Sequence, residues 1–92
     1  MIKTFKDKNT QALFLGERVQ RFIAIETVAL RKLAILNRAA CLNDLRVPPA
    51  NHLEKLKGDR VDSYSIRIND QFRLCFRFVQ GDAFDVEIID YH

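Results

Sequence analysis

The hydrophobic period changes once along this chain, and that change limits what the chain can fold into. Ile25, Ala29, Leu33, Leu36 and Ala40 recur at spacings of four, four, three and four, which makes one apolar stripe on a helix. Val28, Ile35 and Ala39 widen the stripe on one side, while Arg31, Lys32 and Arg38 lie toward its edges and back. Leu45 to His52 follows, and its Pro48-Pro49 pair forbids continued helix. Beyond it the period is two. Tyr64, Ile66 and Ile68 alternate with polar residues, Asn69-Asp70 turns the chain, and Phe72, Leu74, Phe76 and Phe78 alternate with Arg73, Cys75, Arg77 and Val79. Gln80-Gly81-Asp82 turns it again before Phe84, Val86 and Ile88. Three alternating strands joined by tight turns make an antiparallel meander.

The apolar set that includes Phe84 is expected to pack on the helices, leaving Arg67, Arg73 and Arg77 on a wet face. Ahead of the long helix, Ile2 to Phe5 reads as a short strand, and Lys8 to Leu15 as a brief helix ended by Gly16. The expected fold is α+β: an N-terminal strand and two helices on one face of a small antiparallel sheet, one domain over residues 1–92. The proline segment reads as an ordered loop and not a linker, since nothing after it can fold without the helix.

Composition excludes several classes. With 48% apolar and 29% charged residues, three Gly and two Pro, the chain is neither disordered nor collagen-like. No apolar run approaches the ~20 residues of a membrane span, and no long apolar stretch follows the charges of Met1 to Lys8, so a cytoplasmic protein without membrane contact is expected. Cys41 and Cys75 form no CxxC pair, and the histidines are only His52 and His92, so neither a metal site nor a cofactor is expected. Cys75, between Leu74 and Phe76, reads as an inert strand cysteine.

Charge is the first positive clue. Residues 1–46 hold nine Lys/Arg against four acids, and residues 47–92 hold six against eight. A basic half on a small domain suits a polyanionic partner, although charge alone favours a solvated helix surface.

There is no Gly-rich phosphate loop, GxSxG, HExxH or Walker motif. What remains is a set of cations and one acid–base candidate. Lys57 and Arg60 flank Gly58 in a basic loop, Arg73 lies on the wet face of the middle strand, and Asp90-Tyr91-His92 follow the last strand. In a sheet this small these groups can converge at one rim. They suit cleavage of RNA by its own 2′-OH. His92 can accept or donate the proton near neutral pH, with Asp90 or the chain's own carboxylate orienting or charging it. Lys57, Arg60 and Arg73 would hold the phosphate, and Tyr91 would stack on a base or donate a hydrogen bond. Each residue also has an ordinary structural explanation, such as Arg73 pairing with Asp85 or Glu87 across the strands.

Taken together, Met1-Ile2-Lys3-Thr4-Phe5, Asp44 to Pro49, Leu56 to Arg60, Tyr64 to Asn69, Phe72 to Phe76 and Asp90-Tyr91-His92 closely resemble the HigB (plasmid maintenance system killer) branch of the RelE/ParE toxin superfamily. The resemblance covers nearly the whole chain. It implies a type II toxin that cleaves mRNA in the ribosomal A site without a metal. It also implies a HigA-like helix-turn-helix antitoxin that neutralises the toxin and carries it to operator DNA. The 70S ribosome and mRNA are then its other partners.

The family's catalytic positions fall on Lys57, Arg73, Asp90, Tyr91 and His92. Some members carry a catalytic histidine where this chain has Glu54. A carboxylate can act as a base but titrates lower than an imidazole. The division of acid and base roles among Glu54, His92 and the nearby His52 therefore stays open. Arg31, Lys32 and Arg38 on the long helix become candidates for ribosomal RNA contacts, alongside Arg60 and Arg67. A gyrase poison of the ParE branch, a non-catalytic RNA or antitoxin-binding module, and a free-standing ribonuclease are the competing functions.

Overall fold

The computed structural model describes residues 1–57 and 61–91. Helix α1 (Lys8–Phe14) is capped at its start by Asp7, whose Oδ2 accepts from Thr10 N at 3.2 Å. It ends in a Schellman turn: Gly16, at φ +91°, donates to Leu13 O, and Glu17 N donates to Ala12 O. A 3₁₀ segment (Gln20–Ile25) then leads into α2 (Glu26–Arg38). Two further 3₁₀ turns, Leu42–Arg46 and Pro49–Asn51, carry the chain past the prolines.

The sheet consists of β1 (Glu54–Lys55), β2 (Ser63–Arg67), β3 (Phe72–Val79) and β4 (Asp82–Asp90), antiparallel and in that spatial order. Gln80 and Gly81, at φ 49° and 82°, form the two-residue turn between β3 and β4, where both central positions are left-handed. Residues expected as a first strand run parallel to the outer edge of β4, bridging Ile2 to Ala83 and Phe5 to Val86. Farther along the same edge, the buried Thr10 Oγ1 accepts from Ile88 N at 3.0 Å, so β4 is covered by the N-terminal segment and by α1.

The helices cover one face. Ile25, Ala29, Leu33 and Leu36 are buried against Ile66, Leu74, Phe76, Val86 and Ile88, as the stripe requires. Two positions depart from the expected pattern. Ala40 is exposed and Ala39 buried, because the backbone leaves the helix at Ala39 (ψ 128°). Phe84 lies outside the core while Ala83 is fully buried. The cause is a bulge: Cys75 pairs with Glu87 but Arg77 pairs with Phe84, so β4 carries one extra residue there, with Asp85 at φ 54°. An extra residue reverses the alternation, which puts Phe84 beneath the Arg77 guanidinium, 5.1 Å from the ring centroid. The 3₁₀ segment ahead of α2 had no counterpart in the sequence reading. It buries Phe22 completely, edge-on to Phe72 at 6.2 Å.

Candidate active site

The face of the sheet away from the helices carries Arg73, the centre of the candidate groups. It sits on β3 between Arg67 of β2 and Ile89 of β4. Its side chain is only 12% exposed. Nε donates to Ser65 Oγ at 2.8 Å, and Nη2 donates to the His52 carbonyl at 2.6 Å. Strand β1 pairs Glu54 with Ser65, which brings the Glu54 carboxylate to 4.0 Å from Arg73 Nη2. That carboxylate is 63% exposed, so it can reach a bound molecule as well as the arginine. Arg67 and Arg73 are paired directly across the ladder, a repulsive arrangement relieved because Arg67 bonds Asp70 while Arg73 faces Glu54.

Asp90 and Tyr91 lie at the same end of the sheet. Asp90 pairs with Phe72, one step along the ladder from Arg73, and its Oδ2 accepts from Gln71 Nε2 at 3.0 Å. Strand alternation puts the Asp90 side chain on the face of Phe72 and Ile88, opposite to that of Arg73. Tyr91 N donates to Gln71 O, and the Tyr91 ring is partly exposed. Lys57 is exposed just beyond the backbone bond from Leu56 N to Ser63 O at 2.9 Å. Arg60 and His92 lie outside the described residues.

Three expectations change here. Lys32 is not a surface cation: it is 6% exposed and donates to Asn51 Oδ1 at 2.5 Å. The loop containing Asn51 folds across α2 and covers it, so Lys32 is withdrawn as an RNA contact. Desolvation is the main cause that pulls the Lys32 pKa below its ordinary value, with help from the charges of Arg31 and Arg67. Arg31 and Arg38 do remain exposed. His52 contributes its carbonyl to Arg73, from a left-handed residue (φ 43°) that is itself exposed. Arg77 does pair across the strands with Asp85, at 3.1 Å, whereas Arg73 turns the other way, toward β2 and β1.

Ser65, Asn51 and Gln71 were not singled out from the sequence. Ser65 had a faint signal, as a small polar residue on the wet face two positions before Arg67. Nothing in the sequence marks Asn51 as the partner of Lys32.

Beyond Arg73 the same face dips into a concavity of about 220 Å³ lined by Leu56, Val61, Ser63, Cys75, Arg77 and Glu87. Among the described residues no group of three or more His, Cys, Asp or Glu is arranged to hold a metal ion. No described helix is long and apolar enough to cross a membrane. Chemically, the site offers a guanidinium locked by hydrogen bonds from Nε and Nη2, with a solvent-accessible carboxylate beside it. That combination suits an anion whose reaction requires a proton to be removed nearby.

A family model described as the RelE-like toxin of the type II toxin–antitoxin system HigB matches residues 3–92. Toxin HigB-1 of Vibrio cholerae is 41% identical over 85 residues, 90% of each chain. Endoribonuclease HigB of Proteus vulgaris is 31% identical over 93 residues, the full length of both. An uncharacterized protein of Haemophilus influenzae is 47% identical over 56 residues, 61% of this chain and 55% of its own.

Proposed function

The chain belongs to the HigB-like family of RelE-like toxins of type II toxin–antitoxin systems, and from that premise we propose that it is an endoribonuclease that cuts mRNA in the ribosomal A site. The observation that carries this reading is the Arg73 guanidinium, fixed on the open face of the sheet with Glu54 4.0 Å away. The likeness to a full-length relative named as an endoribonuclease supports it.

The reaction is transesterification. The RNA 2′-OH loses its proton to a base and its oxygen attacks the adjacent phosphorus. The bond to the 5′-oxygen breaks, and that oxygen takes up a proton, leaving a 2′,3′-cyclic phosphate. Arg73 binds the non-bridging oxygens, where charge grows in the transition state. Fixed donors of this kind need no reorganisation during the reaction. Lys57 and Arg60 add positive charge around the phosphate. Glu54 or His92 removes the first proton, and His92, oriented by Asp90, is the candidate to protonate the leaving oxygen. Tyr91 stacks on a base or donates a hydrogen bond to the substrate. The protein groups supply every proton transfer, so the cleavage proceeds without a metal.

Docking on the ribosome is assigned to the exposed Arg31 and Arg38 of α2, together with Arg67, through sequence-independent phosphate contacts. A HigA-like helix-turn-helix antitoxin neutralises the toxin and links it to operator DNA, and the site of action is the cytoplasm.

The test is cleavage mapping on mRNA-programmed ribosomes with chelator present, beside the same RNA without ribosomes. Wild type, Arg73→Ala and His92→Gln are compared. Metal-independent cuts at A-site codons, lost in both variants, are expected. Equal cutting of free RNA would make it a free-standing ribonuclease. No cutting, or full activity in both variants, would overturn the assignment and direct attention to gyrase or to simple binding.

A further inference from the structure

Arg73 is held from two directions, by Ser65 on the neighbouring strand and by the loop that precedes β1. Local 3₁₀ turns shape that loop, and a buried side chain ties it to the rest of the fold. Asn51 has no solvent exposure, and its Nδ2 donates to the carbonyl oxygens of Leu45 at 3.0 Å and Val47 at 3.2 Å. Its Oδ1 accepts from the buried Lys32 ammonium at 2.5 Å. One side chain therefore ties two loop carbonyls to the long helix. The next residue, His52, takes the left-handed conformation (φ 43°, ψ 60°) and offers its carbonyl to Arg73 Nη2 at 2.6 Å.

We infer that Lys32 and Asn51 are positioning residues for Arg73, holding the loop so that the His52 carbonyl aims the guanidinium at the RNA phosphate. The inference rests on the reading of Arg73 as the phosphate-binding group. An apolar pair would cover this part of α2 at less desolvation cost than a buried ammonium does. What the polar pair adds is direction: a satisfied buried network permits one arrangement of the loop, where apolar packing tolerates several. Direction matters at Arg73 because a displacement of about 1 Å at a reacting group can cost about 100-fold in rate. Ser65 completes the clamp, and among the described residues these bonds occupy Nε and Nη2 while Nη1 is left to an anion.

The experiment compares wild type, Lys32→Met, Asn51→Ala, Arg73→Ala and the Lys32→Met/Arg73→Ala double variant. Two quantities are read: the single-turnover cleavage rate on ribosome-bound mRNA, and the Arg73 Nε–H resonance in the ¹H–¹⁵N spectrum of the isolated protein. Lys32→Met keeps the length of the side chain and removes its donor. It is expected to cleave about 10- to 100-fold more slowly, with affinity for programmed ribosomes changed by less than about threefold. The Arg73 Nε–H resonance should shift or exchange faster while the backbone amides of Leu33 and Leu74 stay in place. The double variant should be no slower than Arg73→Ala alone, since both changes remove one function.

If Asn51→Ala does not fold, Lys32→Met alone decides the matter. A folded Lys32→Met protein with a wild-type rate overturns the inference, whether or not the resonance moves. If wild-type protein cleaves no RNA, the functional reading fails instead. The Arg73 resonance then still shows whether Lys32 and Asn51 hold the guanidinium, and an unmoved signal in both variants excludes it.

Discussion

Arg73 and Ser65 meet on the open face of the sheet, where Nε donates to Oγ at 2.8 Å and the serine is fully buried. The serine hydroxyl receives one edge of the guanidinium and the His52 carbonyl receives another, so the group's plane is set by bonds at two separate corners. Only a planar fork with several fixed donors can satisfy both acceptors at once.

Arg73→Lys should therefore be far from conservative. An ammonium keeps the charge but can reach only one of these acceptors while also facing a phosphate. The cleavage rate is expected to fall by about 100-fold, with stability lowered by only about 1 kcal/mol. Single-turnover cleavage and urea unfolding of the same preparation check this. A lysine variant within threefold of wild type would show that only charge matters at this position.

The β4 bulge predicts an order of stabilities at Asp85. At φ 54° a glycine or asparagine is accommodated readily, whereas a β-branched residue is not. Asp85→Gly and Asp85→Asn should lie within about 0.5 kcal/mol of each other, and Asp85→Val about 1–2 kcal/mol below both. Since the Arg77–Asp85 ion pair is lost in all three, the difference isolates the backbone. Equal denaturation midpoints for valine and asparagine would contradict the bulge.

Asp44 carries a pH dependence of known sign. Its carboxylate accepts from the backbone N–H groups of Ala40 and Cys41, at 2.9 and 3.3 Å, and these bonds are the main reason that its pKa lies below the ordinary 3.8. A lowered folded-state pKa means that the stabilisation is complete above 3.8 and lost as pH falls through the folded value. Asp44→Ala should therefore be less stable than wild type at neutral pH and should converge on it in strong acid. A stability difference that stays constant with pH would remove the capping role.

Lys32 carries a dependence of the same sign in another pH range, because here burial disfavours the charged form. Burial lowers its pKa from 10.5, so in the alkaline window below that value the folded state has released a proton that the unfolded chain still holds. Stability should rise with pH across this window in wild type relative to Lys32→Met, and below the lowered value the full penalty of the buried charge is present. The difference between the two denaturation curves, measured at several pH values from neutral to about 10, isolates this group from other alkaline titrations. A difference that does not change with pH would mean that the ammonium is solvated in the folded state.

Much of the fold was legible because two local rules agree with the tertiary packing. The period of α2 and the alternation of β2 and β3 place nearly every predicted core residue inside, and Gly16 ends α1 as its left-handed conformation requires. Phe84 was misplaced because one extra residue reverses alternation without leaving a mark in the residue types. An aspartate at φ 54° looks in sequence like any polar residue on a wet face. Phe22 was overlooked because a short 3₁₀ segment has no long apolar period to detect.

The candidate site was half legible. Arg73 was legible from the alternation of its strand and Glu54 only through its position in a resemblance, and the structure brings them to 4.0 Å. Lys32 read as a surface cation because helical periodicity places a residue only at an angle around its own axis. Whether that angle meets solvent depends on what lies across it.

By itself, the sequence determined the α+β order, the face of α2 that enters the core, and a set of cations and carboxylates suited to a phosphate. These follow from the covalent order of apolar and polar residues and from the fixed periods of helix and strand. Only the tertiary structure decided which cations remain available. The loop from Leu45 to His52 buries Lys32 under Asn51 and turns a backbone carbonyl toward Arg73, while Arg31 and Arg38 stay in water. The reason is physical. Hydrogen bonds between residues 19 and 21 positions apart depend on how the loop crosses the helix and the sheet, and no local period encodes that crossing.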